Sequence, residues 1–294
     1  MRPIRSLLFA PANRPDLILK FPRYRADAFA LDLEDAVPEA EKASARRELP
    51  RIVADLRKQS LKGLLLVRPN AFRSPHTDAD LTAALETPVD GIIAPKLETA
   101  TGLRFFAAAV NDAQERTGRA IELIGLIETV RGVVSVETLA SAADACVGAL
   151  AFGAEDFITD IGGRRTAEGL EVLYARSRVV LAAKAAGLQA LDQVFADLRD
   201  NEAFRRDADF GRRLGYTGKL CVTPRQTEIA NEVFSPSNEE IERSRRLIQA
   251  YEAAKAHGRG AIDFEGGMVD EPLLKRARAI LDLAPGRKDP DESR

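Results

Sequence analysis

Two acidic residues, Glu128 and Asp156, follow stretches of mostly apolar residues, 123–127 and 149–154, that read as buried strands. On adjacent strands they would offer two hard oxygen ligands side by side. That suits Mg²⁺, which takes one or two protein carboxylates and keeps its other positions for water and substrate oxygens. The competing reading is a carboxylate pair neutralised by Arg68 or Lys96. Arg68, in Val67-Arg68-Pro69-Asn70, is a forked, permanently charged donor at the end of another apolar run. It fits a substrate carboxylate or a developing enolate oxygen. It also fits a salt bridge to Asp32, Glu34 and Asp35, and the two uses are compatible. Asp32 and Asp35 join Arg68 as candidate catalytic residues.

Arg14 and Lys20 lie where the first helix should begin, a place where cations and free backbone N–H groups could grip the phosphate of a substrate or cofactor. The plain alternative is a pair of solvated surface charges. The only histidines, His76 and His257, read as surface residues, which leaves a histidine triad or a His-rich zinc site almost excluded. Gly162-Gly163-Arg164-Arg165 reads as a turn over the site. Cys221, inside an apolar strand, reads as core packing.

These residues need elements to hold them. Eight short apolar runs, at 6–12, 28–35, 64–70, 91–96, 122–129, 149–157, 188–194 and 219–226, are separated by segments of helical periodicity. Their starts are 22 to 39 residues apart, near the ~30 of one strand–helix–strand step. Runs that are apolar for most of their length are buried on both faces, as in a parallel sheet covered by helices. Eight such units predict a closed (β/α)₈ TIM barrel over residues 1–230. The runner-up is an open doubly wound sheet, but no run is followed by the Gly-x-Gly-x-x-Gly turn of a dinucleotide crevice. In a barrel, charged residues should gather at the C-terminal mouth. The runs end accordingly in Asp32, Glu34 and Asp35, then Arg68, Lys96, Glu128, Asp156, Asp192 and, beyond the eighth, Gln226.

Residues 231–294 read as a C-terminal helical extension and lid, too short for its own core and expected to pack on the barrel or on a neighbouring subunit. Ser237 and Glu240 form a capping-box pattern that opens a helix, with Gly258 as its stop. An irregular stretch to 270, a last helix over 272–283 and a frayed tail from Pro285 complete the expectation.

Composition sets outer bounds. The chain has 294 residues, 45% of them hydrophobic, and 43 basic against 45 acidic side chains, so it can bury a sizeable core but has no excess charge for a nucleic-acid backbone. Two cysteines are too few for a disulfide framework, and no stretch approaches the roughly 18 apolar residues of a membrane span. A soluble, cytoplasmic protein without nucleic-acid or membrane partners is expected.

Taken in order, Arg5-Ser-Leu-Leu-Phe-Ala-Pro-Ala-Asn-Arg14, Leu31-Asp-Leu-Glu-Asp-Ala-Val37 with Lys42 and Arg46, Val67-Arg-Pro-Asn70, Pro95-Lys96, Ile127-Glu-Thr129, Phe152-Gly-Ala-Glu-Asp156 and Gly218-Lys219 form a recognisable set. The chain resembles the citrate lyase beta subunit family, which includes malyl-CoA and citramalyl-CoA lyases, within the HpcH/HpaI aldolase superfamily. The resemblance implies a Mg²⁺-dependent barrel, usually homotrimeric, that cleaves or forms a carbon–carbon bond next to a CoA thioester. It implies Glu128 and Asp156 as metal ligands and Arg68 as the contact to substrate and enolate. Phe9, Arg14 and Lys20 are similar to residues that meet CoA. Asp270, in Gly267-Met-Val-Asp-Glu-Pro272, resembles the family's acid/base, supplied by the lid of an adjacent subunit. Val222-Thr223-Pro224 departs from the common Ile-His-Pro, and Glu265-Gly266-Gly267 stands where a basic residue often precedes the Met.

The expected reaction is cleavage of a 3-hydroxyacyl-CoA, such as malyl-CoA, citramalyl-CoA or citryl-CoA, to acetyl-CoA or propionyl-CoA and a 2-oxo acid. Two other readings stand beside it. One is an HpcH/HpaI-type aldolase acting on a free hydroxy-oxo acid. The other is a citrate lyase beta subunit working only on a carrier-bound acyl group.

Overall fold

In the computed structural model, which describes residues 1–257 and 260–283, the chain divides into two compact units, Met1–Phe234 and Ser235–Arg294. The first holds eight strands: β1 Ser6–Pro11, β2 Ala28–Asp32, β3 Leu64–Arg68, β4 Gly91–Ala94, β5 Glu122–Ile127, β6 Val147–Phe152, β7 Gln189–Asp192 and β8 Gly218–Cys221. Each pairs in parallel with the next, and β1 closes the ring by pairing with β8. Helices fill the connections: α1 Pro15–Ile18, α2 Glu39–Lys58, α3 Thr77–Leu85, α4 Ala100–Thr117, α5 Val130–Val134, α6 Val136–Ser141, α7 Ala154–Ile161, α8 Leu170–Ala185, α9 Asn201–Leu214 and α10 Pro224–Val233. This is the expected (β/α)₈ barrel.

Strand parity sorts the side chains into two cores. Leu7, Ala28, Ala30, Leu66, Ile124, Leu126, Leu191 and Leu220 pack together in the lumen. Their strand neighbours Leu8, Phe29, Leu31, Leu65, Val67, Ile127, Ala190 and Cys221 pack outward under the helices. Because side chains alternate along a strand, the lumen series 28, 30 continues to Asp32, and 124, 126 continues to Glu128. The same rule sends Arg68, two residues beyond Leu66, to the lumen side.

Parity also corrects the sequence-based picture of converging strand ends. Asp192 follows the lumen-facing Leu191 and so points outward, where it is wholly buried. Arg176 of α8 forks onto it at 2.8 and 2.5 Å, and Lys219 of β8, also outward-facing, reaches it at 3.0 Å. Asp207 of α9 completes the group, 2.9 Å from Arg176 and 2.5 Å from Lys219. Two cations thus balance two anions between strands and helices. Gly211 permits the approach, since a side chain there would overlap the Asp192 carboxylate. Gln226 likewise leaves the mouth: it lies in α10, holding the Val222 N–H and the Phe195 carbonyl. Asp156 is not on a strand but in the first turn of α7.

The second unit contains α11 Asn238–Ala256, β9 Ile262–Phe264, β10 Gly267–Val269 and α12 Glu271–Asp282. The Ser237–Glu240 capping box is present. The stretch expected to be irregular is an antiparallel hairpin, turned at Glu265 and Gly266, both with positive φ (56° and 79°). Two such residues make the tight turn whose twist suits paired strands. Leu247, Tyr251, Val269, Leu274 and Ala277 form this unit's own small core. The helix stop at Gly258 and the tail from Pro285 lie outside the described residues. Among the described residues no helix is long and apolar enough to cross a membrane.

Candidate active site

The C-terminal ends of the strands surround a cavity of about 370 Å³. Phe9, Asp32, Asp35, Arg68, Glu128 and Asp156 all line it, with Leu126, Val194, Leu220 and Val222 as apolar wall. Six of the nine sequence-predicted site residues therefore meet in one place.

Arg68 is the best-anchored of them. Its Nε and one terminal nitrogen donate to the two oxygens of Asp32 at 2.7 and 2.6 Å, and its other terminal nitrogen lies 3.3 Å from Glu34. Asp32 also accepts from the backbone N–H groups of Glu34 and Ala36, so four donors converge on its carboxylate. Such saturation suits a residue that fixes another in place. A guanidinium has five N–H donors; these contacts leave some of them for a ligand. Burial works against the Arg68 charge, but Asp32, Glu34 and Glu128 outweigh it and raise its pKa. The Phe9 ring lies under the guanidinium, 5.4 Å from centroid to Cζ.

Glu128 is buried at the end of the lumen series. Its Oε1 accepts the Lys96 backbone N–H at 2.9 Å, and no salt bridge neutralises it among the described residues. Burial, reinforced by Glu34 and Asp156 and opposed by Arg68, pushes its carboxyl up to about 8. Gly153 makes the room: a Cβ there would stand 2.5 Å from Glu128 Cβ and 2.7 Å from its Oε2. Asp156 has a single long ion pair among the described residues, to Lys96 at 3.8 Å. Lys96 thus pairs loosely with Asp156 but not with the Glu128 carboxylate, whose charge Arg68 offsets only through space. Two carboxylates repel across a cavity, which fits a cation bound mainly through water and ligand oxygens. Among the described residues no cluster of three or more His, Cys, Asp or Glu is arranged to hold a metal unaided.

Lys96 bonds Glu34 at 2.6 Å and Asp35 at 2.7 Å. Burial opposes ionisation of Asp35, and the Lys96 ammonium overcomes it, so its pKa falls. Glu34, more deeply buried, keeps a raised pKa despite Arg68 and Lys96. Behind this group Lys42 donates to the carbonyls of Leu33 and Glu34 and to Asn70, which is itself held by Asp80. Sequence reading noted Lys42 only as part of a motif; its helical spacing from Ala45 and Leu49, with which it shares the buried face of α2, was the available signal.

The remaining predicted residues lie elsewhere. Arg14 is exposed before α1 and forks onto Asp16 at 2.8 Å through both contacts. Lys20 is exposed just beyond α1. Neither lines the cavity. Thr223, where relatives were expected to carry His, caps α10 by accepting the Gln226 N–H. Asp270 lies in the second unit, preceding α12.

Residues 5–224 match the model of the HpcH/HpaI aldolase/citrate lyase family. The chain belongs to this family. It is therefore a lyase by family as well as a barrel by fold. A citrate lyase subunit beta-like protein of Deinococcus radiodurans is 46% identical over 280 residues, 95% of this chain and 96% of that relative. Human mitochondrial citramalyl-CoA lyase is 34% identical over 300 residues, 98% of this chain and 87% of its own length. A crystal structure of CitE from Mycobacterium tuberculosis in complex with magnesium, acetoacetate and coenzyme A superposes with a TM-score of 0.77. It is 32% identical and covers 96% of this chain and 98% of that one.

Proposed function

We propose that this chain is a Mg²⁺-dependent lyase that cleaves a 3-hydroxyacyl-CoA thioester, such as malyl-CoA, citramalyl-CoA or citryl-CoA, to acetyl-CoA or propionyl-CoA and a 2-oxo acid. The observation that carries this reading is the buried, unneutralised Glu128 facing the same cavity as Asp156 and the clamped Arg68. Glu128 and Asp156 would hold the ion, which supplies Lewis acidity toward the hydroxyl and carboxylate oxygens of the substrate's acid end. The donor set fits: two hard oxygens, a glycine cradle behind one of them, and local negative charge in excess.

As the substrate's hydroxyl becomes a carbonyl and gives up its proton to solvent, breaking the carbon–carbon bond leaves its electron pair on the thioester side as an enolate. The free N–H groups of Arg68 meet that oxygen, and Asp32 keeps them in plane so that no reorganisation is needed as charge develops. Phe9 and the apolar wall exclude water, which strengthens the contact. Asp270 then delivers a proton to the enolate carbon, or removes it in the condensation direction. We assign it to the lid of an adjacent subunit in a homotrimer. Lys20 and, once released from Asp16, Arg14 meet the phosphates of CoA. A reducing cytoplasmic location accords with two buried free cysteines, Cys146 and Cys221.

The test is a panel of glyoxylate, pyruvate and oxaloacetate with acetyl-CoA or propionyl-CoA, with Mg²⁺ or EDTA, followed by product mass. Product in Mg²⁺ alone is expected, and Glu128→Gln or Asp156→Asn should abolish it. Full turnover in EDTA would refute the metal assignment. The exposure of Arg14 and its pairing with Asp16 favour one rival, a free hydroxy-oxo acid as substrate. If reversing the charges of Arg14 and Lys20 leaves all turnover unchanged, that rival gains. The 37% identity to citrate lyase subunit beta of Leuconostoc mesenteroides favours another, a subunit acting on a carrier-bound acyl group. Activity of the isolated chain on a soluble thioester rules it out.

A further inference from the structure

Lys96 is one of four described non-glycine residues with positive φ, at 48°. Ordinary side chains avoid this left-handed region, and a residue held there is worth a functional explanation. Two features of Lys96 converge on the proposed metal ligands. Its backbone N–H donates to Glu128 Oε1 at 2.9 Å. Its ammonium sits among three carboxylates, 2.6 Å from Glu34, 2.7 Å from Asp35 and 3.8 Å from Asp156.

We infer that Lys96 is a positioning residue for the metal centre, its left-handed backbone aiming Glu128 while its ammonium opposes the incoming cation beside Asp156. This rests on the assignment of Glu128 and Asp156 to Mg²⁺ made above. The turn after β4 has to bend sharply for the N–H to face Glu128, which stands at the end of the neighbouring strand β5. The left-handed backbone of Lys96 is part of that bend. The side chain then returns to the mouth, where its charge offsets the acidic cluster. Like charges that share the same carboxylates repel appreciably in a partly buried site. The ammonium therefore holds the affinity for a divalent ion below what the carboxylates alone would give. An ion held in this way stays exchangeable.

The experiment is calorimetric titration of MgCl₂ into substrate-free protein, comparing wild type with Lys96→Gln, Lys96→Gly and Lys96→Arg. Lys96→Gly keeps the N–H and adopts positive φ without strain, so it separates the lost charge from any backbone damage. Loss of the ammonium should tighten Mg²⁺ binding about tenfold in both the Gln and Gly variants, less so in high salt. Lys96→Arg should stay near wild type. A merely structural lysine would give weaker binding on removal, and equal or weaker binding by Lys96→Gln or Lys96→Gly overturns the inference. Tenfold tightening in Lys96→Arg overturns it as well. If wild type binds no Mg²⁺ at all, the metal assignment itself falls and takes this inference with it; binding in wild type without tightening defeats this inference alone.

Discussion

Glu128 stands at the point where burial and charge oppose each other most directly. Its carboxyl is pushed up to about 8 from an ordinary 4.5, first by burial and then by Glu34 and Asp156. The folded chain therefore holds a proton there that the unfolded chain has released. This contribution to stability is present in full below the ordinary value and is lost as pH rises through about 8. In EDTA, the melting temperature of wild type should fall between pH 6 and 8.5 relative to Glu128→Gln, which has nothing to ionise. Mg²⁺ binds the carboxylate form, so it should stabilise wild type more at pH 8.5 than at pH 6. Thermal melts at both pH values check the sign, and parallel profiles for the two proteins would remove Glu128 from the account. Glu128 and Arg68 were legible in the sequence because each follows an apolar run without interruption. The pairing of Arg14 with Asp16 and the left-handed Lys96 were not, since both depend on backbone angles in loops that no periodicity reports.

Strands and helices explain the misplaced residues. The eight runs revealed the barrel because a strand buried on both faces needs apolar residues throughout, but apolar content does not reveal parity. Counting alternation from Leu191 and Leu220 would have put Asp192 and Lys219 under the helices. There, removing one partner leaves a buried charge without compensation, which typically costs about 3–5 kcal/mol. Lys219→Met should lose stability on that scale in urea titration while keeping Mg²⁺ binding, because this group is not part of the cavity lining. The junction of β6 and α7 behaves in the opposite way. Gly153 is the N-cap of α7 and touches Glu128. In Gly153→Ala the new methyl group must displace the carboxylate, so Mg²⁺ affinity should fall by about tenfold or more with a smaller change in stability. If Lys219→Met lost the metal and Gly153→Ala kept it, the division between supporting charges and site would be wrong.

On the scale of the whole molecule, the proposed reaction divides between two units of the chain. The barrel carries Glu128, Asp156 and Arg68, whereas Asp270 belongs to the unit Ser235–Arg294, which has its own small core and hairpin. The sequence reading began the extension at residue 231 and read a helix opening at the Ser237 capping box, but the hairpin escaped it because strands of three residues are too short to show alternation. A lid that serves its own barrel and a lid that serves a neighbour's make different predictions for mixed oligomers. Glu128→Gln and Asp270→Asn chains should each be inactive alone. If the lid acts between subunits of a closed ring, co-refolding equal amounts should restore about a quarter of wild-type activity, because roughly one site in four combines an intact barrel with an intact lid. If each lid serves its own barrel, every site in the mixture carries one lesion and activity stays at zero. The assay is turnover of the mixture against its mole ratio, with light scattering to show that mixed oligomers have formed. A maximum at equal amounts supports the exchange of Asp270 between neighbours. A flat line with mixed oligomers present confines it to its own chain.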